Sequence, residues 1–210
     1  MWAYYPDFTF VYVDAEFTPD LHTPGGLVSL ALHSEKGDLY LVNAEADEDA
    51  FCENVFRRDH IWSKLPLLPG PDGALDLNHP DVASYETIRD RVAEYFNNLT
   101  GGEKYREHVG IVADHGTQDM QRIHNLFDNE WFGKMPPSVP RRPFADLATL
   151  EDLARVSDDR LPSGLPLPEK DDALAHHALY DAKWDRAVHT FLMRNSRAVR
   201  VASGVEQLPE

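Results

Sequence analysis

Two carboxylates stand two residues apart at the end of an apolar run, Thr9-Phe10-Val11-Tyr12-Val13-Asp14-Ala15-Glu16-Phe17. The run is rich in β-branched and aromatic residues, which predicts a buried strand. Alternate residues of a strand share a face, so Asp14 and Glu16 point the same way from its C-terminal end. Unpaired carboxylates beside a buried strand are costly unless a cation lies between them, and a hard divalent ion such as Mg²⁺ takes oxygen ligands. Alone, Asp-x-Glu is a weak motif, and a strand ending in water is the simpler reading of it. A metal site requires further ligands elsewhere in the chain.

A pair of ions about 3.5–4 Å apart, as used in phosphoryl transfer, takes about four converging carboxylates. The segment Ala113-Asp114-His115-Gly116-Thr117-Gln118-Asp119-Met120 offers two more. Asp119 begins a predicted helix beside a strand end and is the stronger candidate. Asp114 also reads as a capping or turn residue. The last candidates lie in His176-His177-Ala178-Leu179-Tyr180-Asp181-Ala182. His177 and Asp181 are four apart and share a helix face. His176 is five from Asp181, so it reaches the same site only if the helix starts near it and its side chain swings in from the preceding loop. One of the two adjacent histidines is expected to be a surface or capping residue. Asp185, a turn beyond Asp181, reads as part of a solvated helix face before it reads as a supporting group. No serine or cysteine has the setting of a nucleophile, and Cys52 sits in an acidic stretch.

The elements that would hold these residues can be read in order. After the first strand come Gly26 to His33 and Asp38 to Asn43, two further strands joined through the turn signal Lys36-Gly37-Asp38, making an antiparallel meander. Asp47 to Arg57 is a short helix, and Leu65 to Pro80 a loop rich in Pro, Gly and Asp. Ser84 caps a helix whose Ile88, Val92, Tyr95, Phe96 and Leu99 share a face and which Gly101-Gly102 ends. Val109 to Ala113 is a fourth, interior strand. Gln118 to Phe127 is a helix with Met120, Ile123 and Phe127 on one stripe. Arg141 to Asp146 leads into a fifth, edge strand, Leu147 to Val156 is a helix, and Ala173 to Arg194 contains a long one. The pattern predicts an α/β layered domain with a mixed five-stranded sheet flanked by helices. It spans 8–195 as one domain, with 1–7 and 196–210 as terminal extensions and the tail after Ser196 mobile.

The chain has 210 residues, room for one well-cored domain. Its single cysteine excludes an internal disulfide and a thiolate zinc site, and fits a reducing cytoplasm. No signal peptide or membrane-spanning run is read from the sequence. The net charge of −16 argues against a protein that coats nucleic acid electrostatically. It leaves open an enzyme that grips one strand end through bound ions, which bring their own positive charge.

Asp14-Ala15-Glu16, then Asp119 at a helix start, then His176-x-Ala-Leu-x-Asp181-Ala182 resembles the three motifs of the DEDDh 3′→5′ exonucleases, which have a ribonuclease H-like fold. More narrowly, the chain is similar to the small bacterial exoribonucleases that prefer polyadenylate 3′ ends. That likeness includes Trp62 followed by Lys64-Leu65-Pro66, and Met135-Pro136-Pro137-Ser138-Val139-Pro140. The resemblance implies that Asp14, Glu16, Asp119 and Asp181 are metal ligands and that His176 is the general base. It implies two Mg²⁺ or Mn²⁺ ions, one activating a water and the other steadying the leaving 3′-oxygen. The implied substrate is the 3′ end of single-stranded RNA, shortened to 5′-monophosphates, and the implied assembly is a homodimer. Gln118 stands where many family members have an aromatic residue. Stacking residues are sought in Phe17, His22, Trp62, Trp131 and Phe132, with Phe17 and Trp62 preferred and core packing expected for Trp131 and Phe132.

Overall fold

The computed structural model describes residues 9–19, 21–70, 73–105, 108–130, 132–141, 145–202 and 206. Its centre is β1 (Thr9–Phe17), paired antiparallel with β2 (Leu27–Ser34), which pairs antiparallel with β3 (Gly37–Asn43). On the other side β1 pairs parallel with β5 (Val109–Ala113). Two-residue strands close the edges: β4 (Val82–Ala83) beside β3 and β6 (Ala145–Asp146) beside β5, both parallel. The order is β4-β3-β2-β1-β5-β6, a mixed six-stranded sheet where the sequence predicts five. The extra strand is β4, whose two residues are too few to show an alternation. Its place is supplied by the end of β3, through Val42↔Val82 and Asn43↔Ala83.

The two faces of β1 do different work. Val11, Val13, Ala15 and Phe17 face a core shared with α3 (Tyr85–Thr100) and α4 (Thr117–Leu126). In α3, Ser84 accepts a hydrogen bond from the Thr87 N–H, and Gly101, in the left-handed region at φ 64°, ends the helix. Its Ile88, Val92 and Phe96 are fully buried, each contributing about 1.5–3 kcal/mol of transfer free energy before chain entropy is counted. The opposite face, with Tyr12, lies under α6 (Ala178–Asn195) through Ala178 and Ala182. Outside α6 pack α5 (Leu147–Ala154) and α7 (Arg197–Ala202). The stretch after Ser196, expected as a mobile tail, thus contains a helix whose Val199 is buried, and Arg197 and Arg200 pair with Glu206.

The single helix expected over Asp47 to Arg57 is two. α1 (Glu48–Cys52) is capped by Asp47, and α2 (Val55–His60) by Asn54, whose side chain accepts from the Arg57 N–H. Asn54 restarts the helix because a short amide side chain competes for the backbone at that point. These helices enclose a satellite core of Val28, Val42, Phe51, Ile61, Trp62 and Leu65.

Candidate active site

The register of β1 against β2 shifts between Glu16 and Phe17, a bulge that bends the strand end out of the ladder. Asp14 and Glu16 therefore stand where the sheet opens, on the α6 side. Behind them the β5–α4 turn comes close: a side chain at Gly116 would lie 2.7 Å from the Ala113 Cβ. That close turn sets Asp119 in the first turn of α4, and its Oδ1 accepts the Ala15 N–H at 3.0 Å. Asp181 enters from the first turn of α6 and is likewise buried.

His176 sits just before that helix, with His177 as N-cap, and holds φ at 65° in the left-handed region. Its backbone N–H donates to Asp181 Oδ2 at 2.8 Å, so the carboxylate fixes the loop that carries the imidazole. Glu16, His176 and Asp181 each bring a ligand atom within 4.8 Å of the others. His177 turns away and stacks on Tyr40, ring centroids 4.6 Å apart. The swing from the preceding loop demanded of His176 by the sequence spacing is the geometry observed.

The electrostatics are those of crowded anions. Burial first, and then Asp119, Glu16, Asp181 and Asp185, hold the Asp14 carboxyl well above its usual range. Burial pushes Glu16 up to about 8, with Asp181 and Asp119 adding to it and Lys170 and Lys64 opposing. Asp119 is pushed up to about 7 by burial, against the lowering effect of the Ala15 N–H. Burial lowers the His176 imidazole, keeping it neutral near pH 7. No described residue hydrogen-bonds to the buried Asp14 Oδ2. Asp181 Oδ1 is met instead by a cation, with Lys170 Nζ 2.9 Å away in an ion pair. A buried oxygen without a donor, amid several crowded carboxylates, fits hard divalent cations.

Other candidates are placed differently. Asp185 is 3% exposed and lies among the carboxylates, with Oδ2 accepting the Asp114 N–H at 3.3 Å, so it is no solvated face. Burial raises it well above its ordinary value. Asp114 itself is an exposed turn residue beside His115. Trp62, expected as a stacking surface, is 4% exposed: it packs on Phe51 and donates Nε1–H to the Gly73 carbonyl, leaving no face for a base. Phe17 is partly buried with the Arg122 guanidinium 4.4 Å above its ring, and His22 is exposed. Phe132, expected in the core, is 97% exposed, and Trp131 lies outside the described residues. The aromatic surface beside the site is one the sequence reading missed. Phe56 of α2 is 49% exposed, meets the His176 ring edge-on at 5.0 Å and stacks with His60 at 4.8 Å. An exposed Phe and His four apart on a helix were the available signal.

No family model and no curated protein matches the chain. Solved structures do. A product-bound exonuclease I superposes with a TM-score of 0.54 at 13% identity, covering 92% of this chain and 45% of that one. The chain shares its α/β fold with the part of exonuclease I on which it superposes. A zinc-bound complex of E. coli exonuclease I with single-stranded DNA gives 0.55 at 14% identity, covering 91% and 42%. Exonuclease I from Methylocaldum szegediense gives 0.53 at 13%, covering 94% and 43%. The chain thus spans less than half the length of each exonuclease I it matches. Among the described residues no helix is long and apolar enough to cross a membrane.

Proposed function

We propose that this chain is a metal-dependent 3′→5′ exonuclease of the DEDDh type. One observation carries the reading: Asp14, Glu16, Asp119 and Asp181, from three elements far apart in sequence, converge at the end of β1 with His176 beside them. The shared exonuclease I fold supports it.

Two divalent ions, Mg²⁺ or Mn²⁺, would supply a nucleophilic water at neutral pH and neutralise charge at the phosphate. The chain's own residues do the rest. Asp14, Glu16, Asp119 and Asp181 would hold the ions, and Asp119 also braces the strand end through the Ala15 N–H. His176, neutral at pH 7, accepts the water's proton at a ring nitrogen. Lys64 donates to the Ala175 carbonyl and fixes the histidine loop from the α2 side. Phe56 and His60 offer a ring surface to an unstacked terminal base. Arg57 on the same helix and Lys64 after it add local positive charge to an acidic chain, while Arg58 is neutralised by Asp59.

The substrate we assign is the 3′ end of single-stranded RNA, releasing 5′-monophosphates. This rests on the sequence likeness to polyadenylate-preferring exoribonucleases, as does the homodimer, while the cytoplasmic setting rests on the single cysteine. The second reading is a DNA 3′ end, favoured by the single-stranded DNA in the E. coli structure. The experiment uses 5′-labelled oligo(A) RNA and the matched DNA with Mg²⁺ or Mn²⁺, with EDTA and 3′-blocked strands as controls. A metal-dependent ladder shrinking from the 3′ end is expected, faster on RNA. Faster shortening of DNA would move the assignment to the second reading, and no shortening of either would sink the nuclease.

A further inference from the structure

Lys170 is held on a strap whose two ends are tied to the helix that carries Asp181. Trp184 of α6 donates Nε1–H to the Pro168 carbonyl at 3.2 Å. Tyr180 of α6 accepts the Asp171 N–H on its hydroxyl at 2.6 Å. Between these ties the Lys170 ammonium lies 4.7 Å from the centre of the Trp184 ring and 2.9 Å from Asp181 Oδ1. Its field reaches Asp185 and Asp14 as well. The side chain is 31% exposed, so the head has a way out to water along its flexible stem.

An ammonium beside a carboxylate oxygen and a divalent ion on that same oxygen are like charges in contact, and they repel strongly in a partly desolvated site. We infer that Lys170 is the resident counter-cation of the carboxylate cluster, set against Asp181 Oδ1 and displaced from it when a divalent ion binds, so that this lysine acts as a brake on metal affinity. The inference rests on the nuclease reading for the purpose of the site. The strap is what distinguishes Lys170 from a surface lysine: the backbone on either side stays fixed to α6, and only the side chain has to move.

The test is Mn²⁺ binding without nucleic acid, by titration calorimetry or by the loss of the free-ion electron paramagnetic resonance signal. It compares wild type, Lys170→Gln and Lys170→Arg. Lys170→Gln should tighten the dissociation constant about fivefold, the scale of a partly exposed ion pair, and lower the melting temperature in EDTA. Lys170→Arg, which keeps the charge, should stay within about twofold of wild type. Far-ultraviolet circular dichroism checks the fold. Should the Gln variant fail to fold, Lys170→Met, which keeps the stem against Trp184, takes its place. Unchanged or weaker Mn²⁺ binding in the neutral variant overturns the inference, as does equal tightening in Lys170→Arg. A wild type that binds no Mn²⁺ overturns the inference and the nuclease reading together. Tightening as expected, with no shortening of RNA or DNA, upholds the lysine's role and sinks the nuclease alone.

Discussion

Asp14 concentrates the chemistry and the cost of the site in one side chain. It is the carboxylate raised by each of Asp119, Glu16, Asp181 and Asp185, and its Oδ2 has no hydrogen-bond donor. In the absence of metal it works against the fold. Asp14→Asn should therefore raise the melting temperature in EDTA at pH 8 by about 2–5 °C, roughly 1 kcal/mol in a domain of this size. On the proposed function the same change should lower metal-dependent cleavage about a thousandfold or more, since it removes a proposed ligand of the ions. Scanning fluorimetry in EDTA decides the first point, and a lower melting temperature would mean that the crowding of charge is not destabilising. Much of the site was legible at this scale. Residues two apart on a strand, and a histidine just before a helix start, have few places to go. What stayed hidden depends on facing. Asp185 and Phe56 look like surface residues until one knows which side of α6 meets the sheet and that α2 begins anew at Asn54. Trp62 shows the converse, since a large aromatic near a motif is more simply interior when a satellite core is close by.

Among the elements, α4 ties two parts of the site together. It carries Asp119 and, one turn on, the buried Arg122, whose Nη1–H donates to the Leu21 carbonyl and whose Nη2–H groups donate to those of Thr18 and Pro19. Arg122 also covers Phe17, so the loop leaving β1 is fixed from the same helix that braces the strand end. Arg122→Met keeps the volume but abandons three carbonyls and a ring face, and should cost about 3 kcal/mol in urea unfolding. A loss below about 1 kcal/mol would show that the loop stands without it. The element boundaries read from sequence failed where a side chain, and not the hydrophobic period, makes the decision. Asn54 splits a helix, β4 exists only because β3 offers it a partner, and α7 follows Ser196 because Val199 has a core waiting. The long elements carry their own periodicity: α3 shows it in Ile88, Val92 and Phe96.

The molecule as a whole is a sheet between two helical layers, and the α6 layer meets it through Ala178 and Ala182 and through a buried polar pair. His189 lies 3.0 Å from the Tyr12 hydroxyl through Nδ1 and edge-on to Phe10, and burial lowers its pKa to about 4. An imidazole kept neutral in the fold but free to protonate in the unfolded chain stabilises fully above its ordinary pKa. That contribution is lost as pH falls from about 6.5 through 4, and amounts to about 3 kcal/mol. Glu16 and Asp119, raised by burial, slope the other way, losing stability as pH rises through about 8 and 7. The difference between wild type and His189→Gln isolates the histidine. The penalty of the substitution should shrink by about 3 kcal/mol between pH 7 and pH 4, and a difference independent of pH would refute it.

The chain order of the site has a consequence for synthesis. β1, β5 and α4 bring Asp14, Glu16 and Asp119 together within the first 126 residues, but Asp181 and the histidine loop come with α6. A chain growing at about 5–20 residues per second therefore spends seconds with its strands emerging and its cluster one ligand short. On the nuclease proposed above, the growing chain stays inactive until its last long helix has left the ribosome and closed over the sheet.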